Sequence, residues 1–231
     1  MGKRIAIVQS SYIPWKGYFD IIRSVDEFVL LDDAQFTRRD WRNRNLIKTP
    51  VGLHWLTIPV KTKGRFEEPI DSIRIAEPWA RKHWATLRHA YARAPHFGCF
   101  AARIEAMYQT LETETMLSAV NRRTIEEICS ILEIDTPIRW SREYPVRGTR
   151  TGRLLSICVA AEATEYLSGP SARAYMELDK FAAAGINVRF IDYAGYPEYK
   201  QLHGDFTHGV SILDLLFNMG ENTLSAMRRL A

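Results

Sequence analysis

Two short apolar runs frame the least ordinary part of the chain. Ile5, Ala6, Ile7 and Val8 form the first, and Phe28, Val29, Leu30 and Leu31 the second. Runs of that length predict buried strands, placed here over residues 4–9 and 27–31. The loop from Ser10 to Gly17 between them contains Pro14, and these two breakers exclude regular structure. Residues 18–24 put Phe19, Ile21 and Ile22 on one side of a short helix. Strand, loop, helix and strand make a βαβ unit, which favours a parallel sheet.

The pattern changes twice more. Leu46-Ile47-Lys48 and the run 54–60 flank Pro50-Val51-Gly52 and predict a hairpin. A charged loop with Gly64 covers 61–68, and 72–75 reads as a further short strand. From Pro78 the strand signals give way to helix, with Pro78 suited to a first turn. Trp84, Leu87 and Tyr91 share a helical face, Pro95 interrupts it, and a second helix covers 97–111. Leu117, Val120, Ile125, Ile128, Ile131 and Leu132 stripe a third. Alternation then resumes: strands over 138–140, 165–167 and 188–191, and helices over 151–161, 178–184 (closed by Gly185) and 211–217, with Ser211 as N-cap. Residues 223–230 close the chain. The expected architecture is α/β, a Rossmann-like parallel sheet with a helical insertion or subdomain. Its parts are an N-terminal portion over 1–76, the insertion over 77–135, and a C-terminal portion over 136–231 that completes the same domain.

Composition narrows the class without naming it. The 231 residues are 46% hydrophobic and 25% charged, a globular balance. The net charge of +4 suits an anionic ligand. Three cysteines without CxxC spacing argue against a disulfide framework or zinc ribbon and point to reduced thiols in the cytoplasm. Only four apolar residues follow Met1-Gly2-Lys3-Arg4, too few for a signal peptide or membrane span.

Polar residues just beyond strand ends are where open α/β sheets bind ligands. The stretch from Gln9 to Arg44 has two such loops. In the first, Tyr12, Trp15 and Tyr18 offer rings for stacking, or pack in a core. Lys16 and Gly17 before a helix suit an anion. In the second, Asp32 and Asp33 end a strand; they could hold a divalent cation against a phosphate, or pair with Arg38, Arg39, Arg42 or Arg44. Beyond them, Trp41, Arg42, Asn43 and Arg44 combine guanidinium forks, an amide and an aromatic ring. Near the C-terminus, His203, Asp205 and His208 are metal-ligand types without zincin spacing, and either histidine could serve as a base.

In this order, the segments QSSYIPWKGYFDII, VLLDDAQFTRRDWRNRNLIK, HWLTIPVK, YLSGPSARAYM and SILDLLFNMG resemble the WbqC-like proteins of bacteria. That resemblance implies a place in O-antigen or other surface-polysaccharide biosynthesis, with transfer of an amino acid such as glycine onto a sugar. The first βαβ unit alone is similar to nucleotidyl-transferring enzymes such as pantoate–β-alanine ligase, with Gly17, Gln35 and Phe36 in comparable places. Their His-x-Gly-His motif is missing from this loop.

The leading expectation is therefore a transferase moving a glycyl or other small acyl group onto an amino sugar or sugar nucleotide. Gln9, the 12–18 loop, Gln35 and the turn of Ser168, Gly169 and Ser171 would shape the pocket. Lys16, Arg42 and Arg44 would hold phosphate or carboxylate, and Asp32, Asp33, His203 or His208 would supply the base. No dedicated metal site is expected; ATP, or a nucleotide sugar with Mg2+, is left open as cofactor. The alternatives are an RNA- or aminoacyl-tRNA-binding protein and a metal-dependent sugar-nucleotide glycosyltransferase. The expected partner is a small anionic substrate rather than a membrane, and the oligomeric state is open.

Overall fold

The computed structural model describes residues 2–62, 67–145 and 148–227. Residues 63–66 of the charged loop expected over 61–68, Gly64 among them, and the last residues of the segment expected over 223–230 lie outside them. Seven strands and seven α-helices are described: β1 (Arg4–Val8), α1 (Lys16–Arg23), β2 (Glu27–Leu30), β3 (Arg44–Thr49), β4 (Gly52–Thr57), α2 (Ala80–Tyr91), α3 (Phe97–Thr110), α4 (Leu117–Ile131), β5 (Ile138–Trp140), α5 (Thr151–Ala160), β6 (Glu165–Ser168), α6 (Leu178–Ala183), β7 (Asn187–Phe190) and α7 (Ile212–Met219).

Five strands form one sheet in the order β5-β2-β1-β6-β7, every pair parallel. The fold is α/β, as the alternating pattern predicts. Side chains alternate across a strand, and both faces here are apolar. Ala6, Phe28, Leu30 and Leu167 share one cluster with α1, the hairpin, α2–α4 and α7. Ile5, Ile7, Val29 and Tyr166 share the other with Ile157 and Cys158 of α5 and Phe181 of α6. Coverage on both faces is why these strands read as unbroken apolar runs. Each fully buried Ile, Leu or Phe contributes about 1.5–3 kcal/mol, and the innermost of them are fully covered.

β1 lies between β2, which follows it directly, and β6, which returns after the helical stretch. The winding direction reverses there, and a crevice opens at the carboxyl ends of such strands. The helical stretch between β4 and β5 packs into the same cluster as the sheet. β3 and β4 form an antiparallel hairpin, turning at Gly52, whose φ of 114° only glycine adopts readily.

Three local expectations shift. Residues 72–75 are not a strand: Ile70–Ser72 is a 3-10 turn, followed by single bridges from Arg74 to Met116 and from Val60 to Ile75. Isolated bridges satisfy this backbone without a ladder, which the apolar pattern cannot distinguish from a strand. α1 begins at Lys16 rather than Tyr18, so Lys16 and Gly17 form its first turn. Pro78 precedes α2, whose N-cap is Trp79.

Candidate functional site

The loop leaving β1 is held from several sides. Arg42 Nη1 donates to the carbonyls of Gln9 at 3.0 Å and Ser10 at 2.8 Å, and to Ser11 Oγ at 3.2 Å. Asn45 Nδ2 donates to the carbonyls of Tyr12 (3.1 Å) and Ile13 (2.8 Å). Tyr12 N donates to Trp41 O, and Ile212 N to Pro14 O. These bonds hold Ile13 at φ 36°, a conformation unfavourable for a β-branched residue. Strain of this kind costs about 1–3 kcal/mol and clusters at functional sites.

A cavity of about 430 Å3 opens beside this loop, at the carboxyl end of β1. Trp15, Tyr18 and Trp41 give it aromatic walls; Ser11, Arg42, Asn45 and His208 supply polar groups, with Val8, Pro14 and Gly209 completing it. A mostly apolar cavity with a few convergent polar groups is the usual form of a small-molecule site. Its cation is Arg42. Arg42 Nε is buried without a hydrogen-bond partner, and Asp40 Oδ2 stands 3.6 Å away as its ion-pair partner.

His208 Nδ1 is likewise buried without a hydrogen-bond partner. Burial, then the positive charge of Lys16, lowers the pKa of His208, while Glu198 opposes the shift. The shift favours the neutral imidazole. Lys16 Nζ donates to Pro197 O at 2.9 Å and lies 5.1, 5.2 and 5.9 Å from the ring centres of Tyr196, Tyr199 and Phe206. Burial pulls its pKa down to about 8, against the pull of Asp20. Trp15 packs on Tyr193 and Tyr196, with centroids 5.1 and 5.6 Å apart. Gly17 makes this possible, since a Cβ there would come within 2.3 Å of the Trp15 ring.

Of the residues singled out by sequence, the fold gathers Trp15, Tyr18, Trp41, Arg42 and His208 around one cavity. Gln9 does not line it; its carbonyl accepts from two residues that do, Tyr18 Oη and Arg42. Tyr12 instead points into the core, its hydroxyl bonded to His83 Nδ1 and Tyr108 Oη. Asp32 lies beneath the loop: Oδ1 accepts from Ser10 N and Oδ2 from Ser118 Oγ. Burial raises its pKa, against the lowering effect of these bonds. Asp33 faces elsewhere, accepting from Ser141 Oγ and pairing with Arg153. Arg44 stacks over Trp55 and donates to Arg39 O, and Asn43 Nδ2 donates to Ile58 O. Gln35 is exposed and bridges to Pro69. His203 Nε2 meets Ala90 O. Ser168 is buried at the end of β6; Gly169 follows it, and Ser171 is exposed on the next turn.

Among the described residues no three His, Cys, Asp or Glu side chains are placed to hold a metal ion. Among the same residues, no helix is long and apolar enough to cross a membrane.

Sequence reading misses the polar residues that support the cavity. Asn121 Nδ2 bonds to Ser10 Oγ and to Arg42 O, tying α4 to both loops. Asp214 on α7 accepts from Tyr91, Tyr199 and Gln201, and Gln201 Oε1 accepts from Lys48 Nζ. Both interrupt otherwise apolar helical faces, which was the available signal; their partners are too distant in sequence to name.

Fold and cavity together define an α/β protein with an aromatic-walled cavity at the carboxyl edge of a parallel sheet. The chain belongs to the WbqC-like protein family, whose model matches residues 9–226. It is 49% identical over 227 residues to "Uncharacterized protein Rv1507c" of Mycobacterium tuberculosis (strain ATCC 25618 / H37Rv), covering 98% of each chain. No solved structure matches it.

Proposed function

We propose that the chain is a transferase of bacterial surface-polysaccharide assembly, moving a glycyl or other small acyl group onto the amine of an amino sugar or its nucleotide. The observation that carries this reading is the convergence on one aromatic-walled cavity of Arg42 and of His208, whose Nδ1 has no hydrogen-bond partner. Arg42 holds a phosphate or carboxylate of the substrate. The sugar amine attacks the carbonyl carbon of an acyl donor already activated as an ester or mixed anhydride. The new C–N bond forms as the bond to the leaving oxygen breaks, and the His208 imidazole takes the proton the amine sheds. Exclusion of water by Trp15, Tyr18 and Trp41 protects the activated donor from hydrolysis.

The test incubates the protein with nucleotide-activated amino sugars and an activated glycyl ester, and in parallel with glycine with and without ATP, and follows product mass. A mass gain of one acyl group, lost in His208→Gln by about a hundredfold or more, supports the reading. Absence of product across a broad panel of donors and acceptors refutes it.

A further inference from the structure

We infer that the ligand is nucleotide-linked: its sugar and phosphate enter the cavity, and its base stacks outside on a platform formed by Trp41 and Trp55. This rests on the reading of the cavity as a small-molecule site and names the class of molecule it takes.

Trp41 belongs to the cavity wall. Its ring centre lies 5.3 Å from that of Trp55, tilted by 41°. The two residues are 42% and 38% exposed. A tryptophan carries a large apolar area that a fold ordinarily covers, so two uncovered together at a cavity mouth mark a surface that something else covers.

The platform is built rather than loose. Trp41 N donates to Asp40 Oδ1 at 2.7 Å, and Trp41 O accepts from Tyr12 N in the cavity loop. Trp55 stands on β4 opposite Leu46 of β3. The Arg44 guanidinium lies 4.0 Å from the centre of the Trp55 ring and donates to Arg39 O.

This chemistry selects the occupant. Aromatic rings combined with a guanidinium plane suit a nucleobase, which every base satisfies through its π-face. Arg42, next to Trp41 and part of the cavity wall, suits the phosphate joining base to sugar. A lipid tail would gain nothing from the charge of Arg44, and a bare sugar phosphate would leave both rings uncovered. Contact through stacking alone tolerates different bases, so uridine and guanosine diphosphates should bind comparably.

Calorimetry on the full chain tests this with UDP-N-acetylglucosamine, UDP, GDP and N-acetylglucosamine 1-phosphate. The expected result is that UDP-N-acetylglucosamine binds about tenfold or more tightly than the sugar phosphate, the size of one stacked base. Trp55→Ala should erase that difference, and Trp55→Phe, which keeps a ring, should restore most of it. Equal affinity of the two ligands overturns the platform and leaves the transferase reading standing. Binding of none of the four overturns both. Trp55-dependent binding to phosphatidylglycerol vesicles without any preference for the base-bearing ligands would also overturn the platform and assign it to a lipid surface.

Discussion

His83 makes the stability of this fold depend on pH in a direction the structure fixes. It is buried on α2, and its Nε2 lies 3.2 Å from Thr57 O, which can only accept. Nε2 therefore carries the proton, and Nδ1 accepts from Tyr12 Oη at 2.8 Å. Tyr12 Oη in turn accepts from Tyr108 Oη at 2.7 Å. A second proton on Nδ1 would oppose the Tyr12 donor and bury a charge. Burial is the main cause that lowers the His83 pKa to about 4; the Thr57 bond opposes it and His54 adds to it. The unfolded chain binds the proton below about pH 6.5 while the folded chain resists it. Stability is therefore fully present above that pH and is lost as pH falls toward 4, by about 1.4 kcal/mol per unit and about 3 kcal/mol in all. Asp32 and Asp214 act in the opposite sense: burial raises both pKa values, so each adds stability as pH falls. Comparison with His83→Gln isolates the histidine. Urea denaturation at pH 7 and pH 5 should show the wild-type advantage over the variant shrinking by about 2 kcal/mol. An unchanged difference, or a proton NMR titration of His83 centred at or above its ordinary value, would refute the reasoning.

Three further outcomes follow from the site. Lys16→Met keeps the aliphatic packing but removes a charge that adds to burial in depressing the His208 pKa; with His208 as the base of the proposed transfer, the acid limb of the rate profile should move to higher pH, read as a shift in the kcat/KM profile. Gly17→Ala forces a Cβ against the Trp15 ring; despite alanine's better helix propensity, it should lower stability by about 1–3 kcal/mol, measured by urea midpoint together with the near-ultraviolet circular dichroism of the displaced ring. Asp214→Ala strips the shared acceptor from Tyr91, Tyr199 and Gln201; it should cost about 3 kcal/mol and increase amide exchange over 199–208, with Asp214→Asn intermediate.

The sheet was legible because strands buried on both faces leave unbroken apolar runs, and all five of its strands stand where such runs or β-prone triplets occur. The hairpin was legible from Gly52, whose backbone angle explains its place. The 72–75 segment was misread because isolated bridges and a ladder impose the same local pattern. Within the candidate site, residue type identified polar and aromatic groups but not their direction. Tyr12 and Tyr18 look alike in sequence, yet Tyr12 is spent on His83 and Tyr108 while Tyr18 reaches the cavity. Asp32 and Asp33 diverge for the reason adjacent residues at a strand end do: one meets α4 through Ser118, the other meets Ser141 and Arg153.

The cavity is completed by a part of the chain that local reading cannot join to it. Trp15 and Tyr18 come from the first βαβ unit, but His208 and Gly209 arrive only after β6 and β7 have extended the sheet. What brings that late segment back is the Lys16 cage of Tyr196, Tyr199 and Phe206, the bond from Lys16 to Pro197, and the Asp214–Gln201–Lys48 network below them. Lys16 is thus not placed as the anion-holding group its position before a helix implied. It fastens the segment that carries His208, and its charge adds to burial in lowering the pKa of that histidine. On the proposed role of His208 as base, one lysine thereby couples the geometry of the site to its proton chemistry, since loosening the cage would both withdraw the imidazole and raise its pKa.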